Sequence, residues 1–352
     1  MLITDLPSKA KRLPKAKKDL FNRFFWIDMN TGTLNPPKNM VPWLKKQFPH
    51  SDVKKQKIVR AINLPLMESA LFNELRTLRP LETKPTDIKE EIKKSKGGPF
   101  CNPLKSTPAD SFGRVKGTYS TTCSNVAKYE GLHGVTIFKD HDPWNLSEAK
   151  VHDYLTTALK WTEKAKKTDK TALYPLVMWN CLWRASASLV HGHMQMVVSK
   201  KRHVPAAEIY ERTAEIYATN NGSDFYEDWF EAHKAVNLDL SKKIHSFVNL
   251  TPKKDKEVVI ISHNFNKAVS KAVYATVQGY KKMGVESFNM LMLVPSPKKE
   301  IPYIIRLVNR GKLSQRTTDF GAMEIYANAS VIETDPYKVR KVLKTYFDKA
   351  KL

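Results

Sequence analysis

The sequence predicts an α+β protein made of two similar halves, each an antiparallel or mixed sheet covered by helices. Two observations carry that prediction. The order strand, helix, strand, strand recurs in outline in both halves, although no clean sequence repeat is present. A chain of 352 residues is also long enough for two domains or two repeated halves. The composition, 41% hydrophobic and 27% charged, is that of an ordinary globular protein.

Residues 1–20 read as a basic, partly disordered arm that closes near residue 25, with the aromatic stretch Phe21–Met29 packing on the body. Residues 83–98 are polar and end in Gly97-Gly98, as in a surface helix followed by a turn. Gly134–Phe138 is β-branched and apolar and predicts a buried strand. Over 146–167 the apolar positions Val151, Tyr154, Leu155, Ala158 and Leu159 recur at helical spacing, with Asn145 or Ser147 as the cap. Ala172–Asn180 predicts a second strand, Arg184–Ser188 a loop of small residues, and His191–Ser199 a third strand. Residues 205–250 read as a helical connection. Beyond it, Val258–Ser262 predicts a strand and Phe265–Tyr280 a long helix stopping at Gly284. Phe288–Val294 and Tyr303–Val308 predict paired strands, and Asp335-Pro336 opens a terminal helix. The boundaries expected are an arm over 1–25, an N-terminal half over 26–204, the connection over 205–250 and a C-terminal half over 251–352.

Charge and cysteine content narrow the class. Net charge is +24, and residues 1–60 carry 14 Lys/Arg against 4 Asp/Glu. A surface this basic concentrates polyanions, whether nucleotides or nucleic acid; a Lys-rich solubilising surface is the equal alternative. No run approaches the length of a membrane span, so no membrane partner is expected. The first thirty residues lack the compact apolar core of a secretory signal, and Asp5, Asp19 and the prolines argue against an amphipathic presequence. Three scattered cysteines make no disulfide framework, and an intracellular, cytoplasmic setting is expected.

The chemistry concentrates in His191-Gly-His193-Met-Gln195. On a strand, alternate side chains share a face, so His191, His193 and Gln195 point one way and Gly192 and Met194 the other. The preceding loop, from Asn180 through Arg184, Ser186 and Ser188, is rich in small and hydroxyl residues and can bring N–H groups to an anion. A neutral imidazole attacks phosphorus when its second nitrogen donates a hydrogen bond that fixes the tautomer. An amide such as Gln195 can bond phosphate oxygens without supplying a proton, which favours transfer over hydrolysis.

These residues resemble the galactose-1-phosphate uridylyltransferase branch of the histidine-triad superfamily, whose signature is His-Pro-His-x-Gln. In that family an Asn lies thirteen residues before the nucleophilic His and a Ser five before it, as do Asn180 and Ser188 here. The resemblance implies tandem histidine-triad-like halves and a nucleotidyltransferase working by double displacement, of uridylyltransferase or phosphorylase type. It implies His193 as nucleophile, Gln195 and Ser188 on the transferred phosphate, and Asn180 near the sugar phosphate. Its donors are nucleotide sugars or dinucleoside polyphosphates, its acceptors sugar phosphates or inorganic phosphate, and its members are frequently homodimers. Many members bind a structural zinc with a Cys-x-x-Cys pair, a downstream His and the first His of the signature. Here Cys101, His141 and His191 match three of those ligands and Gly98 stands at the fourth. Three ligands and a water can hold zinc; equally, Cys101 can be a buried thiol in a site that has lost its metal.

The second half has no histidine pair to match the additional metal of some uridylyltransferases. It offers Arg306 and Arg310, candidates to grip an acceptor phosphate or plain surface cations. Arg184 and Ser186 are further candidates for the substrate. His133, His203 and His263 are expected to be structural, Asn264 and Asn266 to cap a helix, and Trp179 and Trp183 to be core or to stack on a base. Lys253, Lys254, Lys256, Lys281, Lys282, Lys298 and Lys299 are expected in solvent. The rival reading is a non-catalytic family member whose basic surface binds RNA or another macromolecule.

Overall fold

The computed structural model describes residues 1–49, 52–80, 83, 86–241, 243–297 and 301–351. Lys298, Lys299 and two positions of the 83–98 segment lie outside them. Among the described residues, twelve strands follow one another as β1 (Phe25–Thr33), β2 (Lys55–Asn63), β3 (Glu68–Phe72), β4 (Ser120–Ser124), β5 (Leu132–Phe138), β6 (Tyr174–Cys181), β7 (His193–Ser199), β8 (His245–Val248), β9 (Val258–Ser262), β10 (Phe288–Leu293), β11 (Tyr303–Asn309) and β12 (Ala329–Ile332). Eight of them form one sheet in the order β4-β5-β7-β6-β10-β11-β9-β8.

That order has an internal symmetry. Counting outward from the central β6–β10 pair, one half reads β6-β7-β5-β4 and the other β10-β11-β9-β8. Each half supplies its strands in the same chain order, with one long helix, Glu148–Thr168 or Lys267–Lys282, between its second and third strands. Two histidine-triad-like halves therefore meet edge to edge, antiparallel, through Leu176–Cys181 and Phe288–Leu293. Both helices lie on the same face of the sheet. There Val151, Tyr154, Leu155, Ala158 and Trp161 bury against the first half, and Val269, Val273 and Val277 against the second. The approach is close enough to require glycine at 134, where a Cβ would come within 2.4 Å of the Trp161 ring. Ser147 caps the first helix by accepting from the Lys150 N–H, and Asn266 caps the second; Asn264 caps nothing.

The second, four-stranded sheet has the order β1-β2-β3-β12, and its last pair is parallel. Nothing in the sequence pattern announced it. β1 alternates poorly, and β12 joins β3 from the far end of the chain. Two expectations need correcting. The N-terminal arm is helical at Leu6–Lys11 and Lys15–Phe24 and is docked, with Ile3 and Leu6 buried and the Ile3 N–H donating to Asp335 Oδ2 at 2.6 Å. Apolar residues spaced among its lysines outweigh the charge. The 205–250 connection is α-helical through Pro205–Asn221 and Phe225–Ala232, with a 3-10 turn at Lys234–Val236; its end is β8, the outer strand of the second half. Among the described residues, no helix is long and apolar enough to cross a membrane.

Candidate active site

The face of the large sheet opposite the two long helices carries the polar residues. Period-two alternation from His193 puts Gln195 on that face and sends Met194 and Met196 into the helix-covered core, where neither is exposed. Trp179 is buried on the core side against Phe138 and Phe288, so it cannot stack on a base. The strand starts at His193; His191 and Gly192 lie just before it. Gly192 is held against Phe138, where a Cβ would come within 2.5 Å of the ring, so this step needs glycine unless Phe138 moves.

His193 is 5% exposed, and its Nδ1 lies 2.8 Å from the His191 carbonyl oxygen. A carbonyl only accepts, so Nδ1 carries the proton and Nε2 the lone pair. Burial pushes the imidazole pKa down, partly offset by the His191 carbonyl, which keeps the ring neutral near pH 7. Phe100 meets the His193 ring edge-on at 5.3 Å and the His191 ring at 6.0 Å. Together these fix both the tautomer and the orientation of the ring, with the lone pair on Nε2.

Gln195 is fixed by partners the sequence reading assigned no role at the site. His133 Nε2 donates to Gln195 Oε1 at 2.9 Å and Tyr129 Oη donates to the same oxygen at 3.3 Å. With the amide oxygen held, its NH2 group is the end left to donate to an anion. His133 is thus buried and structural, as expected, but what it structures is the site. Asn180 lies on β6 opposite Asn289 of β10. Asn289 Nδ2 donates to Asn180 Oδ1 at 2.7 Å and to the Ala185 carbonyl at 2.9 Å, while its Oδ1 accepts from Arg310. The signal for Asn289 was legible: it is the one polar residue in the apolar run Phe288–Leu293.

The β6–β7 loop is strained. Leu182 has φ 67°, ψ 173° and Ser186 has φ 67°, ψ 24°, both in regions that favour glycine. Such residues cost about 1–3 kcal/mol each and persist where surrounding structure enforces them, commonly at functional sites. Ser186 and Ser188 are exposed on this loop. Arg184 is half-buried beneath the segment Gly311–Gln315, its Nη1 lying 3.5 Å from the Gln315 carbonyl.

The two second-half arginines are not free to grip a phosphate. Arg306 donates through Nε and Nη2 to Glu257 at 2.6 and 2.8 Å and through Nη1 and Nη2 to Glu68 at 2.6 and 3.1 Å; Tyr210 Oη lies 2.9 Å from Nη1. The arginine is a largely buried cross-link between the two sheets, its side chain 13% exposed. Arg310 is clamped by Asp319 at 2.9 and 3.0 Å and reaches the site only through Asn289. The expectation of solvated lysines also fails at Lys254, which is 6% exposed and pairs with Glu324 at 3.1 Å. It lines a cavity of about 590 Å3 with Arg76, Arg79, Lys256 and Lys312. His263 is exposed and His203 buried.

Cys101, His141 and His191 converge. His141 Nε2 lies 2.7 Å from the Ile92 carbonyl oxygen and His191 Nε2 lies 2.8 Å from that of Phe138, so each Nε2 carries its proton and each Nδ1 its lone pair. The two Nδ1 atoms are 3.1 Å apart, and Cys101 Sγ lies 3.3 and 3.5 Å from them. Facing lone pairs repel unless a cation or proton lies between them. A tetrahedral zinc, with bonds of about 2.0–2.1 Å to nitrogen and 2.3 Å to sulfur, sets ligand–ligand edges of roughly 3.3–3.6 Å. The donor set fits zinc in chemistry and spacing, and the backbone carbonyls supply the outer hydrogen bonds that orient such ligands. Cys101 is exposed rather than buried, which removes the alternative of an inert core thiol.

No family model matches the chain, and neither does any curated protein. Solved structures do. An ADP-glucose phosphorylase from Arabidopsis thaliana, with bound ADP-glucose, superposes with a TM-score of 0.62 at 16% identity, over 80% of this chain and 96% of that one. A GalT-like protein from Arabidopsis thaliana gives 0.59 at 16% identity with the same coverages. A uridylyltransferase gives 0.58 at 16% identity, over 83% of this chain and 99% of that one. The likeness is one of fold: this chain is built on the tandem histidine-triad-like architecture of the uridylyltransferase and the ADP-glucose phosphorylase.

Proposed function

We propose that this protein is a nucleotidyltransferase that works by double displacement through a nucleotidyl-histidine on His193. The observation that carries this reading is the His193 Nδ1–H bond to the His191 carbonyl, which leaves Nε2 as a neutral nucleophile in a buried, oriented ring. Nε2 attacks the α-phosphorus of the donor, the P–N bond forms, and the P–O bond to the leaving phosphate breaks. The positive charge gained by the imidazole is stabilised by the His191 carbonyl. An acceptor oxygen then attacks the same phosphorus, the P–N bond breaks, and neutral His193 is regenerated. The Gln195 amide N–H groups and the Ser188 hydroxyl would hold the transferred phosphate, with Asn180 and Ser186 on the sugar side.

The names of the fold neighbours point the donor class toward nucleotide sugars: one is an ADP-glucose phosphorylase, others are uridylyltransferases. A dinucleoside polyphosphate presents the same α-phosphate. Cys101, His141 and His191 would hold a zinc whose part is structural, fixing His191 and through its carbonyl the proton of His193. Incubation with UDP-glucose, ADP-glucose and diadenosine tetraphosphate, with and without inorganic phosphate, tests the reading. Acceptor-dependent cleavage of one donor is expected, lost in His193→Ala. No cleavage of any donor, with nucleic-acid binding intact in His193→Ala, would leave the basic, non-catalytic alternative standing.

A further inference from the structure

Two arginines of the second half, Arg306 and Arg310, are satisfied in the same way. Arg306 presents its Nε–Nη2 edge to the carboxylate of Glu257, and Arg310 presents the same edge to that of Asp319. This edge holds two parallel N–H groups spaced to match the two oxygens of a carboxylate or phosphate. In Arg184 the same two nitrogens, Nε and Nη2, are buried and have no hydrogen-bond partner among the described residues. Among the described residues no carboxylate pairs with it, and its one hydrogen bond is the long one from Nη1 to the Gln315 carbonyl. A buried, unpartnered guanidinium edge is expensive, and a bound ligand is one way in which native structures complete it.

The surroundings hold Arg184 in this position. The strained residues Leu182 and Ser186 bracket it, and the Ala185 carbonyl beside it is tied to Asn289, which also holds Asn180 and Arg310. The segment covering it belongs to the second half: a Cβ on Gly311 would lie 3.8 Å from Arg184 Nη2. Gly311, Lys312 and Gln315 of that segment also wall the basic cavity. The fork therefore lies at the join between the half that bears the nucleophile and the half that faces it.

We infer that the Nε–Nη2 edge of Arg184 binds the incoming acceptor, and that this acceptor is a phosphate oxyanion, either inorganic phosphate or a phosphomonoester. Water, the acceptor of a hydrolase, would have no use for a bidentate fork. The inference rests on the nucleotidyl-histidine reading above and specifies its second step. Two acceptor oxygens occupy the fork while a third attacks the phosphorus on His193; the acceptor's charge is neutralised and its direction set.

The test separates the two half-reactions in the full-length protein. Chains are loaded from α-32P-labelled UDP-glucose and ADP-glucose, and the adduct is then discharged with titrated inorganic phosphate or, separately, glucose 1-phosphate. Arg184→Ala is expected to load within about twofold of wild type, while half-maximal discharge needs at least tenfold more acceptor. Arg184→Lys keeps the charge but lacks the fork, and should need at least fivefold more. Which acceptor discharges wild type identifies the source of the phosphate. The inference is overturned if Arg184→Ala slows loading as much as discharge, or leaves the acceptor requirement unchanged, or if water discharges wild type as fast as either phosphate. If wild type never loads, the His193 reading fails first. Calorimetric titration with inorganic phosphate then decides on Arg184 alone: tenfold weaker binding in both variants supports the fork, and equal binding refutes it.

Discussion

At the scale of single residues, the account depends on where protons sit. His193 keeps its proton on Nδ1 because a carbonyl faces that nitrogen, and burial holds the ring pKa below its ordinary value. The reactive form is the neutral one, so a depressed pKa moves the acid limb of the rate downward in pH. Single-turnover loading should stay level from pH 8 to about 6.5 and fall only below that; a limb centred above pH 7 would contradict the assignment. The proposed zinc site of Cys101, His141 and His191 makes a second residue-scale prediction. Purified protein should carry about one zinc per chain by elemental analysis, and His141→Ala or Cys101→Ser should lose it. His193, Gln195, Asn180 and the cluster of Cys101, His141 and His191 could be singled out by residue type and spacing alone, and the structure brings the last three together. The partners that orient them could not: His133 and Tyr129 meet Gln195 only because β5 pairs with β7, a register no local pattern declares.

Among the elements, the site is a strand, a strained loop and a strand from the facing half. β6, β7, β9, β10 and the long helices were readable from apolar runs and helical periodicity. The outer strands and the small sheet were not, since their residues become apolar surfaces only through pairing with distant segments, as β3 does with β12. Arg306 shows the consequence. Read locally it is a cation on a strand; in the fold its partners Glu68 and Glu257 arrive from β3 and from just before β9. Asn289 is the element-scale hinge of the account, bonding Asn180, the Ala185 carbonyl and Arg310 at once. Asn289→Ala should lower kcat/KM by roughly 10- to 100-fold, from about 1–3 kcal/mol for buried polar groups left unpaired. An unchanged kcat/KM would show that the β6–β10 pair does not support the site.

For the whole molecule, Arg306 ties the large sheet to the small one through Glu257 and Glu68, and stability should report on that link. Arg306→Met leaves Glu257 with no paired cation among the described residues and Glu68 with only Lys253 at 3.6 Å, and is expected to cost about 3–5 kcal/mol in urea denaturation; a loss below 1 kcal/mol would mean the cluster is solvated. Acid should also weaken the fold. His233 is buried with Nδ1 donating to the Trp229 carbonyl and Nε2 accepting from the Leu250 N–H, and burial pushes its pKa down to about 3. The unfolded chain takes up this proton below about pH 6.5 while the folded one does not. Stability from this group is therefore intact above pH 6.5 and is lost as pH falls toward 3, by on the order of 3 kcal/mol at pH 4. Denaturation at pH 7 and pH 5 should differ, less so in His233→Gln. The fold itself is shared with enzymes of more than one name, so the architecture leaves the reaction to be read from the site. Everything in that reading passes through one covalent bond. Wild-type protein, loaded with an α-32P-labelled nucleotide sugar, quenched in alkali and mapped by mass spectrometry, should carry an acid-labile nucleotidyl group on His193 and nowhere else. Label on another residue, or label that persists in His193→Ala, would contradict the account.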